Sequence, residues 1–363
     1  MQTIETTTSS PNSTEPILAD AAVKSYKMIV ETENLFGEKK QEIYKPERES
    51  LQKELSLIFN SNLTIEKLIN FITNEFYETL EYHQLCFGLS SCQKTSLLFN
   101  PHRLDTKAGK SKLSCFEALK DYNFLNGLSR MILYERKQKG DNYKSRYGEL
   151  LYQILGFNIN GVQYVNEIHP IISRELALKY CNGFNSKVLD PCSGWGGRMI
   201  GFSTVVSEYY GFEPYTKTYD GLNKLGEWIK KRNDNFNFYI NNLPFEDSKL
   251  QNDLFDFAFT SPPYYDTEKY GNEETNSYNR YKNFDQWCDL FYLPMIEKTM
   301  NALKKDCSFV LNIGSRTYPL NDVLKSNFSK RYFIEKEKDM LQGKRSGLKN
   351  NENEGETFYR IVK

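Results

Sequence analysis

Histidine is scarce in this chain, three among 363 residues, and the seven cysteines (Cys86, Cys92, Cys115, Cys181, Cys192, Cys288 and Cys307) form no close pairs of metal-binding type. No metal is therefore expected. An odd cysteine count with no signal-peptide pattern argues against a disulfide scaffold and for a reducing compartment, the cytoplasm. No apolar run approaches the roughly 18 residues that a membrane span needs, so no membrane partner is expected. An excess of charge is missing too, since 47 Lys and Arg offset 47 Asp and Glu. That balance argues against a uniformly basic nucleic-acid binder and leaves that role to a local patch.

Aromatic side chains are plentiful, at 14% of residues. Three regions use them differently. Residues 1–18, rich in Thr, Ser, Asn and Pro, have almost nothing to bury and are expected to be a disordered leader. Residues 19–160 read as a helical, partly basic region. Leu51, Leu55, Ile58 and Phe59, then Leu63, Ile65, Leu68, Ile69 and Phe71, recur at helical spacing. Between Gln93 and Tyr147 the basic residues Lys94, Arg103, Lys107, Lys110, Lys112, Lys120, Arg130, Arg136, Lys137, Lys139, Lys144 and Arg146 outnumber the acids, with Tyr122, Phe124, Tyr134, Tyr143 and Tyr147 among them. Such a mixture suits phosphate neutralisation and base stacking, hence substrate recognition. The alternative is a solvated helix face over an aromatic core.

Residues 161–363 alternate short strands with helices. Strands are predicted near 187–189, 209–212, 236–240, up to Thr260, and over 308–313, with helices from Gly197, over 219–231 and over 287–303. This alternation predicts an α/β fold with a doubly wound, mostly parallel sheet and a ligand site outside the strand carboxyl ends. Two motifs sit at such ends. In the first, Val188-Leu-Asp-Pro-Cys-Ser-Gly-Trp-Gly-Gly-Arg-Met-Ile-Gly201, a strand passes through a glycine turn into a helix, so a ligand can approach the backbone near a helix N-terminus. Glu213 follows at the tip of the next strand, where an acid binds ribose hydroxyls in dinucleotide-type folds.

The second motif, Leu254-Phe-Asp-Phe-Ala-Phe-Thr-Ser-Pro-Pro-Tyr264, is an aromatic strand that ends in two prolines. Proline can neither extend a sheet ladder nor enter a helix interior. The resulting stiff loop presents carbonyl acceptors beside a serine hydroxyl and a flat ring, a pocket for a planar group carrying an amine.

Together, Asp190-Pro-Cys-Ser-Gly-Trp-Gly196 and Thr260-Ser-Pro-Pro-Tyr264 resemble the S-adenosylmethionine-dependent methyltransferases that modify exocyclic amines of DNA bases, cytosine N4 or adenine N6. The resemblance spans roughly residues 165–363. It includes Ile168-His-Pro-Ile-Ile-Ser-Arg-Glu-Leu-Ala-Leu-Lys-Tyr180, similar to the helix that closes over the methionine part of the cofactor in that family; Ser173-Arg174 replaces the lysine-proline often found there. The resemblance implies a Rossmann-like class I methyltransferase fold ending in a β-hairpin, from 332–337 and 356–362, with S-adenosyl-L-methionine as cofactor. It also implies a site-specific, restriction-modification type of enzyme. Ser261, Pro262, Pro263 and Tyr264 are the implied catalytic residues. Asp190, Pro191, Gly194, Gly196 and Glu213, with Asp247 or its neighbour Glu246 near the adenine ring, are the implied cofactor contacts.

An exocyclic amine is a poor nucleophile because its lone pair is delocalised into the ring. Hydrogen bonds from it to Ser261 and to the Pro262 carbonyl favour the tetrahedral nitrogen of the transition state, and Tyr264 stacks on the base. Cys192, which follows a proline, invites comparison with a covalent cytosine nucleophile, but it stands on the wrong strand and is expected to be a small packing residue. His169 is expected at a helix start. The target base must be flipped out or single-stranded. With only about 60 residues between the motifs, substrate reading falls to the N-terminal helical part or to the insertion 266–282 with Tyr265, Tyr270, Tyr278, Arg280 and Tyr281, for which an ordered aromatic lid is the alternative. The linker 343–355 brings Lys344, Arg345 and Lys349 as further phosphate contacts. RNA is a possible substrate, and a catalytically inactive nucleic-acid-binding protein of the same fold is a further alternative. Ser at the first motif position leans toward DNA over RNA or protein glutamine, and toward cytosine over adenine.

Overall fold

The computed structural model describes residues 45–73, 91–108, 111–139, 161–165, 167–314, 317–337 and 357–363. The leader 1–18 and the linker 343–355 lie outside the described residues.

The helical periodicity upstream of residue 140 forms α1 (Lys45–Ile58), α2 (Ile65–Thr73), α3 (Ser91–Phe99), α4 (Cys115–Ala118) and α5 (Tyr122–Lys139). Between α3 and α4 lie a 3-10 turn, Pro101–Asp105, and the two-residue strand β1 (Lys107–Ala108). Ser114 caps α4 reciprocally with Glu117, each side chain taking the other's backbone N–H. These elements bury a core of their own, in which Leu51, Leu55, Leu97, Leu104, Phe124, Leu128 and Ile132 meet. Two residues expected to touch nucleic acid are spent here. Phe124 is only 2% exposed, inside that core. Arg103 is 1% exposed because the 3-10 turn directs it inward onto Glu167 at 2.7 Å.

Downstream come α6 (Pro170–Tyr180), β2 (Lys187–Asp190), α7 (Gly197–Phe202), β3 (Glu208–Phe212), α8 (Thr216–Lys230), β4 (Asn237–Asn241), β5 (Phe255–Thr260), β6 (Glu268–Lys269), α9 (Ser277–Arg280), α10 (Phe284–Trp287), α11 (Leu293–Ala302), β7 (Leu303–Ile313), α12 (Leu320–Phe328), β8 (Phe333–Lys336) and β9 (Thr357–Val362). Seven strands pair in the order β4-β3-β2-β5-β7-β9-β8. The first five are parallel, and β9 runs antiparallel to both β7 and β8. This is a Rossmann-like, doubly wound sheet with the terminal hairpin of the class I methyltransferase fold.

Alternation along each strand sends neighbouring residues to opposite faces. Val188, Phe257 and Val310 meet Leu176, Met199, Leu222 and Leu225 on one side. Leu189, Ala258 and Leu311 meet Met295, Ile296, Leu320 and Leu324 on the other. The chain leaves β2 toward β3 and β4, then returns to β5 on the far side of β2. The switch point therefore falls between β2 and β5, where a crevice opens at the strand carboxyl ends.

The single helix predicted over 287–303 is divided by a π turn, Cys288–Tyr292, just before Pro294, which cannot supply a backbone N–H. Helix α12 was not anticipated, although Leu320, Leu324 and Phe328 follow one another at a four-residue spacing and all are buried.

Candidate active site

Register brings the two motifs together. Leu189 pairs with Ala258, so Asp190 at the end of β2 lies beside Thr260 at the end of β5, and the Thr260 hydroxyl donates to Asp190 Oδ1 at 2.9 Å. Asp190 is completely buried and is used up by the protein itself. Its Oδ2 accepts from Arg198 Nε at 2.8 Å and from the Tyr209 hydroxyl at 2.8 Å. The Arg198 guanidinium also donates to the Cys192 carbonyl. Asp190 thus forms the floor beneath the glycine turn instead of lining the cavity above it.

The turn's glycines differ in their reasons. Gly194, at φ 56°, lines the cavity, and a Cβ there would meet nothing closer than 3.8 Å. Gly196, at φ 97°, caps α7, and a Cβ there would lie 2.6 Å from Leu225. Only Gly194 leaves room for a ligand; Gly196 serves the packing of α8. Pro191 lines the cavity.

Glu213, at the end of β3, lines the cavity too and is 4% exposed. Burial pushes its carboxyl up to about 8, against which the backbone N–H groups of Tyr215 and Gly194 pull down. The Tyr215 N–H donates to Oε1 at 2.9 Å. On the next loop the structure separates the two acids that the sequence left open. The tight 3-10 turn Phe245–Asp247 points successive side chains in different directions. Glu246 joins the cavity wall, where its Oε1 accepts from the Tyr281 hydroxyl at 2.7 Å, while Asp247 turns outward, half-exposed and paired with Arg280. The expectation at Asp247 passes to Glu246.

Ser261, Pro262, Pro263 and Tyr264 all line the same cavity, of about 180 Å³. The Ser261 and Tyr264 hydroxyls lie 3.1 Å apart, and both donate to Asn312 Oδ1, at 3.1 and 3.2 Å. Asn312 was missed in the sequence. It sits on β7, where Leu311 pairs with Thr260, and that register is the only signal that places it next to Ser261. Tyr265, immediately after the motif, takes a left-handed φ of 57°, rare for a bulky residue, and is held by ring contacts with Phe284, Trp287 and Tyr318.

Cys192 packs its sulfur 3.9 Å from that of Met295, and desolvation, then Asp190, pushes its thiol well above the usual value. It is kept as a thiol, consistent with a packing role. His169 caps α6, its Nδ1 accepting from the Ile171 N–H at 3.2 Å.

The insertion 266–282 is the ordered aromatic lid. Its strand β6 pairs with β1 of the N-terminal region, Ala108 opposite Glu268. The Glu273 carboxylate accepts from the Thr216 N–H and hydroxyl, each at 3.0 Å, and the Thr275 hydroxyl donates to the Pro214 carbonyl at 3.1 Å. Arg280 ion-pairs with Glu246 and Asp247, and Tyr270 packs on Trp195 with ring centroids 4.5 Å apart. The lid is therefore fastened over the Glu213 side. Of the two expectations for this segment, these contacts match the ordered aromatic lid, and its Asn276, Ser277 and Tyr278 line the same cavity as Ser261.

The N-terminal region also reaches the site. Asn100 donates to the Trp195 carbonyl at 3.0 Å, and the His102 ring packs against Trp195 and Tyr215. Burial, then Lys217, lowers the His102 pKa to about 4, so the ring is neutral. Glu167 joins Arg103 to the Gly197 N–H at 3.1 Å. These contacts cross the boundary expected at residue 160, on whose N-terminal side the helical region keeps a core of its own.

Among the described residues there is no cluster of His, Cys, Asp and Glu able to hold a metal, and no helix long and apolar enough to cross a membrane.

No protein-family profile and no curated protein matches this chain. Solved structures do. A tRNA methyltransferase from Aquifex aeolicus is 17% identical, over 55% of this chain and 71% of that one, with a TM-score of 0.34. A SAM-dependent O-methyltransferase from Thermotoga maritima is 12% identical over 55% and 67%, with a TM-score of 0.37. An rRNA methylase from Streptococcus thermophilus is 14% identical over 55% and 99%, with a TM-score of 0.35. At these scores the likenesses carry no argument, and the fold rests on the strand order itself.

Proposed function

We propose that this chain transfers a methyl group from S-adenosyl-L-methionine to an exocyclic amine of a DNA base, cytosine N4 in preference to adenine N6, by direct in-line transfer. The observation that carries this is the shared cavity: Gly194 and Glu213 line one part of it and Ser261 to Tyr264 another. Two sites on opposite faces of the molecule would not support it.

The wall is rich in hydrogen-bond acceptors for a cofactor bearing an amine and ribose hydroxyls, since the carboxyl groups of Glu167, Glu213, Glu246 and Glu268 all contribute to it. Glu213 would take the ribose hydroxyls, and Glu246, whose Oε2 has no partner among the described residues, would accept from the adenine amine. When bound, the cofactor supplies an electrophilic methyl on sulfur. Everything else falls to the chain's own residues. Ser261 Oγ and the Pro262 carbonyl accept the N–H groups of the substrate amine and favour its tetrahedral form. The tie from the Tyr264 hydroxyl to Asn312 fixes the plane of the ring on which the base stacks. Alignment then contributes most of the rate.

The test is mass analysis of nucleosides from the DNA and RNA of expressing cells, beside a Tyr264→Ala control. N4-methylcytosine in DNA, reduced roughly 100-fold in the control, is the expected result; stacking and positioning losses of about 1–3 kcal/mol set that scale. Methylated RNA beside unmodified DNA would transfer the assignment to RNA base amines. No methylated nucleoside and no calorimetric binding of S-adenosylhomocysteine would leave a non-catalytic binding protein.

A further inference from the structure

We infer that Asn312 reads the target base: its amide NH₂ donates to the ring-nitrogen lone pair beside the amine being methylated, while its amide oxygen sets the polarity of Ser261. This rests on the nucleobase reading above and names the base edge that the site takes.

Asn312 is 1% exposed and lines the cavity next to the double-proline corner. Its Oδ1 receives the protons of both the Ser261 and the Tyr264 hydroxyl. A hydroxyl has one proton to give, and once Ser261 has given it to Asn312, only lone pairs remain to face the cavity. Ser261 is thereby an acceptor, which is what an incoming amine requires.

The other half of the amide is spare. Asn312 Nδ2 is buried and has no hydrogen-bond partner among the described residues. Buried polar groups in folded proteins are almost always paired, so an unpaired donor in a cavity wall marks a place where a ligand supplies the acceptor. Asn312 is not isolated in this respect. Trp195 Nε1, Glu246 Oε2, Asn276 Nδ2 and Ser277 Oγ are likewise buried and unpartnered, and all four residues line the same cavity.

Acceptors at Ser261 and the Pro262 carbonyl beside a donor at Asn312 are complementary to an edge with an amine next to an unprotonated ring nitrogen. Cytosine presents this as N4 beside N3, and adenine as N6 beside N1. Thymine and uracil reverse both groups, with an oxygen beside an N–H, and are rejected twice. Asparagine is a common reader of base edges, and its amide NH₂ donates to a ring nitrogen in such contacts.

The experiment compares single-stranded oligonucleotides carrying the target base with ones in which its ring nitrogen is replaced by C–H: 3-deazacytosine for cytosine, or 1-deazaadenine if adenine is the target. Wild type, Asn312→Ala and Asn312→Asp are assayed for kcat/KM, and each is checked by thermal melting and by calorimetry with S-adenosylhomocysteine. Wild type is expected to prefer the natural base by about 10- to 100-fold, the scale of one buried hydrogen bond. Asn312→Ala abolishes that preference with S-adenosylhomocysteine affinity within about twofold of wild type, since no cofactor contact is removed. Asn312→Asp, which keeps the acceptor for both hydroxyls but opposes an oxygen to the ring lone pair, reverses it; if the alanine variant fails to fold, this isosteric one carries the comparison.

Comparing ratios between variants cancels the intrinsic effect of the deaza change on amine reactivity. An active wild type whose ratio is the same in every folded variant overturns the role of Asn312 alone. A wild type that binds S-adenosylhomocysteine yet methylates neither base overturns the nucleobase reading, and this inference with it.

Discussion

The Asp190 network beneath the glycine turn and the Asn312 network behind the double proline treat their polar atoms in opposite ways. At the glycine end, Asp190 accepts from Arg198, Tyr209 and Thr260 and presents nothing to a ligand. At the proline end, Ser261 and Tyr264 are oriented by Asn312, whose Nδ2 stays unpaired. The network around Asp190 is closed on itself and holds a backbone shape; the one around Asn312 is left incomplete among the described residues. A buried ion pair broken on one side is costly, whereas a half-filled network is costly only until its partner arrives. Damage to the first should therefore appear as lost folding, and damage to the second as lost turnover.

The sharpest way to break this contrast is Arg198→Ala, which strands a buried Asp190 carboxylate. A loss of about 3–5 kcal/mol in unfolding free energy by chemical denaturation is expected. A stable variant that merely binds cofactor more weakly would show that the glycine end is also incomplete. Ser261→Ala should do the reverse, lowering kcat about 10- to 100-fold while changing stability by less than about 1 kcal/mol. A large drop in melting temperature instead would make the proline corner structural.

The smallest effect expected is in the pH dependence of Glu213, whose carboxyl is pushed up to about 8 by burial. Its folded value exceeds the usual 4.5, so the folded state binds more protons than the unfolded state between 4.5 and about 8, and stability contributed by this group falls as pH rises through that window. Ribose hydroxyls donating to Glu213 favour the ionised form. Binding should then release a proton, and S-adenosylhomocysteine affinity should rise between pH 6 and 8, by less than about tenfold in all, and level off above 8. Calorimetry in buffers of different ionisation enthalpy measures that proton; its absence would remove Glu213 from the ribose contact.

Much of the α/β half was legible because its signals are local. Strand alternation, the glycine turn and the two prolines each act through a few adjacent residues, and the elements expected at 187–189, 209–212 and 236–240 form as β2, β3 and β4. The acids were less legible. Asp190 and Asp247 carry the right chemistry at the right spacing, yet one is consumed from below by Arg198 and Tyr209 and the other is turned out by a 3-10 turn. In the helical region, Arg103 and Phe124 looked available for nucleic acid because sequence records charge and ring but not burial. Arg103 in fact pairs with Glu167, 64 residues away.

The order of residues alone determined where strands end, where the backbone must turn and which chemistry stands at those ends, since proline and glycine act through their own dihedral angles. Only the tertiary structure decided that both ends open onto one cavity, that the lid closes over the Glu213 side and that Asn312 stands beside Ser261. Those facts follow from strand register and long-range pairing, which bring residues dozens of positions apart into hydrogen-bond distance and leave no mark on the spacing of either motif.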